Sequence, residues 1–495
     1  MPRTRSIALA AILAMLPAIS AAQTAAPPAL DAIRREDLRR DLFTLASDSM
    51  RGREGGTQDE MRASAWLAER AREAGLLPAG DDGTYFQFFG LRRIRQTAAS
   101  TVAVGGTPVR LWEDAVLLAP VGARVDARIV HARPGAQGAA APPAQGRVVV
   151  ARLAPPTRMP PRGVSLWAWR YALTATREQS AALRTGNPAA IVLVADSVAA
   201  QAFGRMQHWQ RNGLYLLDDP DAAPAAPAGG PPVFLVRPEV MSRLAEDARF
   251  TADLGLESFV YPSVNVVARV PGTDERLRGE HVLFSGHQDH DGIGEPLNGD
   301  SIWNGADDNA TVSVALLAIG RAFARQPGRR SALFVWHGAE ERGLLGSRWY
   351  SAHPTVPKES LVAVLNADMI GRNHPDSAGL LGAVPPHRNS TALVEMALDA
   401  NRRVTRFAVD HSWDDPAHPE GWYFRSDHLP YARAGVPSIF FTTLLHPDYH
   451  TPEDESERID LAKLTRMTQW MYATGWSVAT APQRPAVDPG FKLER

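Results

Sequence analysis

The sequence contains no cysteine. That excludes a disulfide framework, a thiolate-ligated zinc site, an iron–sulfur cluster and a cysteine nucleophile. Charge of either sign is also not in excess. With 53 basic against 54 acidic residues and a net charge of -1, the chain lacks the basic surplus of a nucleic-acid binder. Beyond residue 22 no run is long and apolar enough to predict a membrane span. Several catalytic signatures are missing as well. The His-Glu-x-x-His pattern is absent, and so is Gly-x-Ser-x-Gly, which weighs against a serine hydrolase of the α/β type. Neither a phosphate-binding loop nor a dinucleotide fingerprint occurs.

What is there is a globular composition. The 495 residues are 45% hydrophobic and 22% charged, which suits two or three folded domains and rules out a wholly disordered or collagen-like chain. The first 22 residues read as a secretory leader: Arg3 and Arg5, an apolar run from Ile7 to Ile19, then small residues ending at Ala22. This predicts an exported protein, periplasmic or extracellular, that is soluble after cleavage.

Three regions follow. Residues 23–96 read as largely helical; Ala63, Trp66, Leu67, Ala71 and Ala74 share one helix face and Gly75 follows as a C-cap. The Gly-rich stretch 50–57 precedes that helix. Residues 97–262 read as a separate, mostly β insert, with strands at 148–150, 191–194 and 233–236, a short helix at 175–185, and loops at 132–146 and 219–232. Residues 263–482 alternate strand and helix. Strands are expected at 282–284, 333–336, 361–365 and 438–441, and helices at 308–325, 390–402 and 461–472, which predicts an α/β layer with a largely parallel sheet. Residues 483–495 read as a loose tail. Twelve of the fourteen histidines fall between His281 and His450.

Metal-binding residue types sit at the ends of these strands. His287 and Asp289 follow the first, Glu340 and Glu341 the second, and Asp368 the third. In open α/β sheets, sites form at the carboxyl ends of strands, so topology brings these residues together. Between the first two strands lies Asp307-Asp308-Asn309 at a predicted helix start. One of the three is expected to cap the helix; a ligand role is kept for one carboxylate. His450 follows the fourth strand. Eight further histidines (His290, His337, His353, His374, His387, His411, His418 and His446) read as ordinary core or surface residues.

The resulting ligand count is His287, Asp307, Glu341, Asp368 and His450. Two histidines and three carboxylates exceed one tetrahedral zinc and suit two metals sharing a bridging carboxylate. Imidazole and carboxylate without sulfur suit zinc, with manganese or cobalt as substitutes. Glu340 adjoins a ligand without being needed as one, which frees it to act as a general base on water. Such a site would hydrolyse an amide or ester.

Gly286-His287-Gln288-Asp289, Gly305 to Asn309, Ala339 to Ser347, Asn366 to Arg372 and His450 to Asp454 together resemble the co-catalytic zinc aminopeptidases of the aminopeptidase S and aminopeptidase Y type. The resemblance implies a mixed, mostly parallel sheet sandwiched by helices, the zinc-exopeptidase fold of the phosphorylase/hydrolase-like class. The 97–262 insert is similar to the protease-associated domain of that family. The resemblance further implies one zinc on His287 and Asp368, a second on Glu341 and His450, Asp307 bridging, and Glu340 as general base. It implies that Asp289 orients His287, that Asp454 does the same for His450, and that the Asp307–Asp308 peptide is cis. Tyr423 matches a tyrosine that stabilises the tetrahedral intermediate in relatives; an aromatic packing role fits it equally. Val312 departs from a glycine common in relatives. The implied activity is an exopeptidase on peptides or small proteins, most of all an aminopeptidase. Arg425 would instead favour a carboxypeptidase or dipeptidase, and a transferrin-receptor-like binding scaffold is the alternative of another class.

Overall fold

The computed structural model describes residues 26–132, 144–220 and 229–493. The expected leader at 1–22 lies outside these residues. Two large sheets organise the molecule. The first runs in the order Ala408–Asp410, Ser377–Leu381, Ser438–Thr442, Leu361–Ala367, His281–His287, Ser331–His337, Leu256–Val270, Phe86–Gln96 and Leu214–Leu217. Its centre is parallel: Ser438–Thr442, Leu361–Ala367, His281–His287 and Ser331–His337 all point the same way. Every residue of these four strands is buried. They read as near-continuous apolar runs because helices cover both faces. The flanking pairs are antiparallel except at one edge, where Ala408–Asp410 runs parallel to Ser377–Leu381.

One face is covered by the helices Arg35–Leu45, Gln58–Glu73, Thr311–Arg325 and Leu461–Thr480, whose apolar sides join one continuous core with Val282, Phe284, Phe334 and Leu365. On the other face Tyr350 and Tyr431, from the helices Leu345–Ala352 and His428–Arg433, pack on Leu283, Leu333 and Val364. The central contact is tight. A Cβ on Gly286 would lie 2.4 Å from Val312 Cγ1, so glycine is required where the Thr311–Arg325 helix crosses the strand.

The second sheet is the insert: Thr107–Pro108, Thr101–Val104, Arg249–Leu254, Ala123–His131, Val148–Arg152, Ala190–Val194, Val233–Val236 and Ala115–Leu117 in that order. It has its own cores on its two faces. It is less purely β than its composition predicts. Trp167–Arg184 forms a full helix, longer than the expected 175–185, and Phe203–Asn212 forms another. Both pack the second face through Tyr171, Ala175, Phe203 and Met206.

The boundaries of the insert also move. Phe86–Gln96 and Leu256–Val270 pair along their length and belong to the first sheet, so the chain leaves and re-enters by neighbouring strands. The return strand therefore begins at Leu256, before the expected limit of 262. Leu214–Leu217, from within the insert sequence, adds to the first sheet beside Phe86–Gln96. The tail is not loose through residue 493. Asp488 accepts the Thr391 amide at 2.9 Å, and Leu493 packs beside Trp422 and Tyr423. No helix among the described residues is long and apolar enough to cross a membrane.

Candidate metal centre

The parallel strands end level with one another. His287 pairs in register with His337, and Ala367 with Phe441. Glu340 and Glu341 follow the second of these ends, and Asp368 the third. The chain thus delivers His287, Glu340 and Asp368 into one cluster whose donor atoms lie within 4.8 Å of one another. A second cluster with the same spacing holds His290, Asp308, Glu341 and His450.

Asp308 joins the two. Its Oδ1 lies 3.2 Å from His287 Nε2, and its Oδ2 lies 3.0 Å from His450 Nε2. His287 Nε2 is also 3.5 Å from Asp368 Oδ1 and 3.8 Å from Glu340 Oε2, yet it is buried without a hydrogen-bond partner. His450 Nε2 is 3.3 Å from Glu341 Oε1, and His290 Nδ1 is 2.9 Å from the same oxygen. Each cluster is thus an imidazole nitrogen ringed by carboxylate oxygens, and one carboxylate faces both.

The carboxylate that faces both clusters is thus Asp308, and not Asp307, the expected bridge. The Asp307 carboxylate turns the other way: Oδ1 accepts the Gly371 amide at 2.7 Å, and Oδ2 lies 3.6 Å from His446 Nε2. Burial, reinforced by Asp454, pushes its pKa up to about 8. The cis peptide is likewise Asp308–Asn309, one residue later than expected. No side chain of Asp307, Asp308 or Asn309 caps the following helix. That helix starts from Ala310 without a side-chain cap, while Asn309 Oδ1 accepts the Met369 amide.

The supporting residues differ from expectation in a similar way. Asp289 does meet His287, but through its backbone carbonyl, 3.1 Å from Nδ1. Its carboxylate instead accepts the amides of Glu340 at 2.9 Å and Glu341 at 3.3 Å. Asp454 does not orient His450. It accepts the amides of Asp307 and Asp308, fixing the loop that carries the bridge. The residue beside His450 Nδ1 is Asp291, at 3.2 Å, which Arg342 links to Glu54 of the Gly-rich stretch. Asp291 carries no expectation from the sequence and His290 reads there as ordinary, although both directly follow the His287–Asp289 motif.

Arg53 is a further residue that the sequence did not single out. It is fully buried and donates to the carbonyls of Gln288, Asn304 and Gly305 at 2.8, 2.6 and 2.9 Å. One guanidinium thus ties the loop after His287 to the loop before Asp308. Burial lowers its pKa to about 10, against the pull of Asp289, Asp454 and Asp308.

The electrostatics favour a cation. Burial raises the carboxyls of Glu340 and Asp368 above their usual range. Burial opposes protonation of His287 and His450, yet the surrounding carboxylates outweigh it and hold both well above the ordinary imidazole value. Two like charges nearly 5 Å apart repel by about 3–4 kcal/mol at an effective dielectric near 20. A divalent cation would relieve that repulsion and engage the orphaned Nε2 of His287. The donor set, histidine and carboxylate without sulfur, fits zinc.

Tyr423 is buried, its hydroxyl has no hydrogen-bond partner, and its ring stacks on His387 at 4.2 Å. His387 is held in turn by Asp414, 2.9 Å from Nδ1. Arg425 is already engaged: it donates to Glu420 and to the Tyr449 hydroxyl, both at 2.9 Å.

Residues 265–475 match Peptidase family M28. A probable leucine aminopeptidase of Arthroderma benhamiae is 27% identical over 45% of this chain and 59% of its own length. The chain thus spans about three fifths of that relative. Among solved structures, the aminopeptidase from Aneurinibacillus sp. strain AM-1 superposes with a TM-score of 0.58 at 16% identity, covering 93% of this chain and 97% of its own. A zinc aminopeptidase from Bacillus subtilis gives 0.57 at 17% identity over 93% and 99%. At these identities the two structures establish the shared fold.

Proposed function

We propose that the chain, whose residues 265–475 match Peptidase family M28, is an exported, zinc-dependent exopeptidase, an aminopeptidase that releases N-terminal residues from peptides. The observation that carries this reading is Asp308, whose two carboxylate oxygens face His287 and His450 separately. A bridging carboxylate between two histidine–carboxylate clusters is the donor arrangement of a two-metal site. His287 and Asp368 would hold one zinc, and Glu341 and His450 the other, with Asp308 shared. Manganese or cobalt would substitute.

When bound, the two ions polarise the scissile carbonyl and acidify the attacking water. Glu340 supports the rest of the chemistry. It borders the first cluster, with Oε2 3.8 Å from His287 Nε2, and burial raises its basicity. It takes the proton from water during attack and delivers it to the leaving amine. Asp289 keeps Glu340 and Glu341 in place through their backbone amides. Tyr423 is proposed to donate its free hydroxyl to the developing oxyanion. The acidic pocket suits a free α-amine, which favours N-terminal over C-terminal cleavage, and Arg425, engaged by Glu420 and Tyr449, is not free to lead a substrate carboxylate. Export rests on Arg3, Arg5 and the apolar run to Ile19. The insert is read as protease-associated-like from its place in the chain order.

The test is mass spectrometry of short peptides incubated with the mature protein. Each peptide is offered free, N-acetylated and C-amidated, with and without a strong chelator. Chelator-sensitive loss of single N-terminal residues, blocked by acetylation but not by amidation, is expected. Cleavage blocked by amidation instead would make the enzyme a carboxypeptidase. Absence of both cleavage and bound metal would leave the binding-scaffold reading.

A further inference from the structure

The insert touches a residue of the metal centre through Arg205. Arg205, on the Phe203–Asn212 helix, donates from Nη2 to the backbone carbonyl of His450 at 2.8 Å. Its guanidinium lies 3.8 Å over the indole of Trp303. Trp303 ends the strand that leads through Asn304 and Gly305 to Asp308. Arg205 therefore touches both the backbone of His450 and the strand that leads to Asp308. The approach is close: a Cβ on the preceding Gly204 would stand 2.2 Å from Glu295 Oε1, so the helix lies directly on the 292–303 hairpin.

His450 needs such a hold. Its φ is 53°, in the left-handed region that disfavours residues with a side chain. Asp291 faces its Nδ1, and that contact sets the ring. Among the described residues, the hydrogen bond recorded at its carbonyl is the one from Arg205, and that bond sets the backbone. A second tether lies next door. Arg170 of the Trp167–Arg184 helix pairs with Glu420, which also holds Arg425, and Arg425 donates to the hydroxyl of Tyr449, the residue before His450.

We propose that Arg205 is a positioning residue for His450, so that the insert completes the half of the metal centre formed by His450 and Glu341. This rests on the two-metal reading given above. The general consequence of removing a partner that orients a ligand is a loss of about 10–100-fold in metal affinity. Here the loss falls on one ion. The other cluster, His287 with Asp368, makes no contact with Arg205 and keeps its affinity.

The experiment counts zinc per full-length chain by plasma mass spectrometry across a series of zinc–chelator buffers. The chains are wild type, Arg205→Ala, Arg205→Lys and Arg249→Ala. The last removes an exposed arginine of the insert's own sheet, where it pairs with Asp126. Wild type and Arg249→Ala are expected to load two zincs alike. Arg205→Ala is expected to weaken one zinc about 10–100-fold and leave the other unchanged, and Arg205→Lys, which keeps the charge and a donor, to fall between. Two unchanged affinities in Arg205→Ala, or an equal loss of both, would overturn the proposal. Should Arg205→Ala not fold, Arg205→Lys with wild-type affinities for both ions would overturn it. A wild type that loads fewer than two zincs would overturn the two-metal reading itself, and this inference with it.

Discussion

The Asp289 carboxylate accepts the backbone amide of Glu340 at 2.9 Å. The bond crosses between two neighbouring parallel strands, from the end of His281–His287 to the turn after Ser331–His337. It fixes where the proposed general base sits without occupying its carboxylate. Asp289→Ala is therefore expected to lower kcat about 10–100-fold, with a smaller effect on KM. Steady-state kinetics on a dipeptide amide would check this; an unchanged kcat would contradict it.

Neighbouring Asp307 and Asp308 should behave as opposites. Asp308→Asn removes the oxygen pair shared by both clusters and is expected to abolish loading of at least one zinc. Asp307→Asn alters a residue bonded to the Gly371 amide and the Thr311 hydroxyl. It should leave zinc content at the wild-type level, with any cost appearing in thermal stability. Metal analysis of both variants separates them.

The carboxylate that faces both clusters, Asp308, lies one residue after the expected Asp307, and the reason is physical. The residue types and the strand-end positions of His287, Glu340, Glu341, Asp368 and His450 follow from apolar strand runs and chain order. The choice within Asp307-Asp308 depends on an irregular backbone, with φ -104° and ψ 86° at Asp308, that no periodicity encodes. The four buried parallel strands are legible in the sequence because each is a near-continuous apolar run. The strands Phe86–Gln96 and Leu256–Val270 are not, because arginine, glutamine and proline interrupt their apolar pattern on a partly solvated flank. Arg53 and Arg205 act through backbone carbonyls, and such contacts leave no mark in spacing.

Gly286 tests the packing that underlies the site. Gly286→Ala drives a methyl into Val312 and is expected to cost about 1–3 kcal/mol. Val312→Ala in the same chain should recover much of that loss. Chemical denaturation of the single and double variants measures the coupling; simple additivity would argue against the contact.

Acid sensitivity follows from buried neutral histidines. Burial lowers the pKa of His281 from 6.5 to about 4 and that of His428 to about 3. Between the folded and unfolded values the unfolded chain binds more protons, so stability falls as pH drops below 6.5 and is flat above it for these groups. One such histidine contributes a slope of about 1.4 kcal/mol per pH unit in that window. His281→Gln should therefore show a shallower loss than wild type between pH 6.5 and 4 in denaturation of the metal-free protein. Equal slopes would place the His281 pKa near its ordinary value.

Anomalous diffraction at the zinc absorption edge tests the central claim most directly. Crystals of zinc-loaded protein should give two peaks about 3.5–4 Å apart. One should lie against His287 and Asp368 and the other against Glu341 and His450, with Asp308 between them. A single peak, or two peaks without Asp308 in contact with both, would contradict the account.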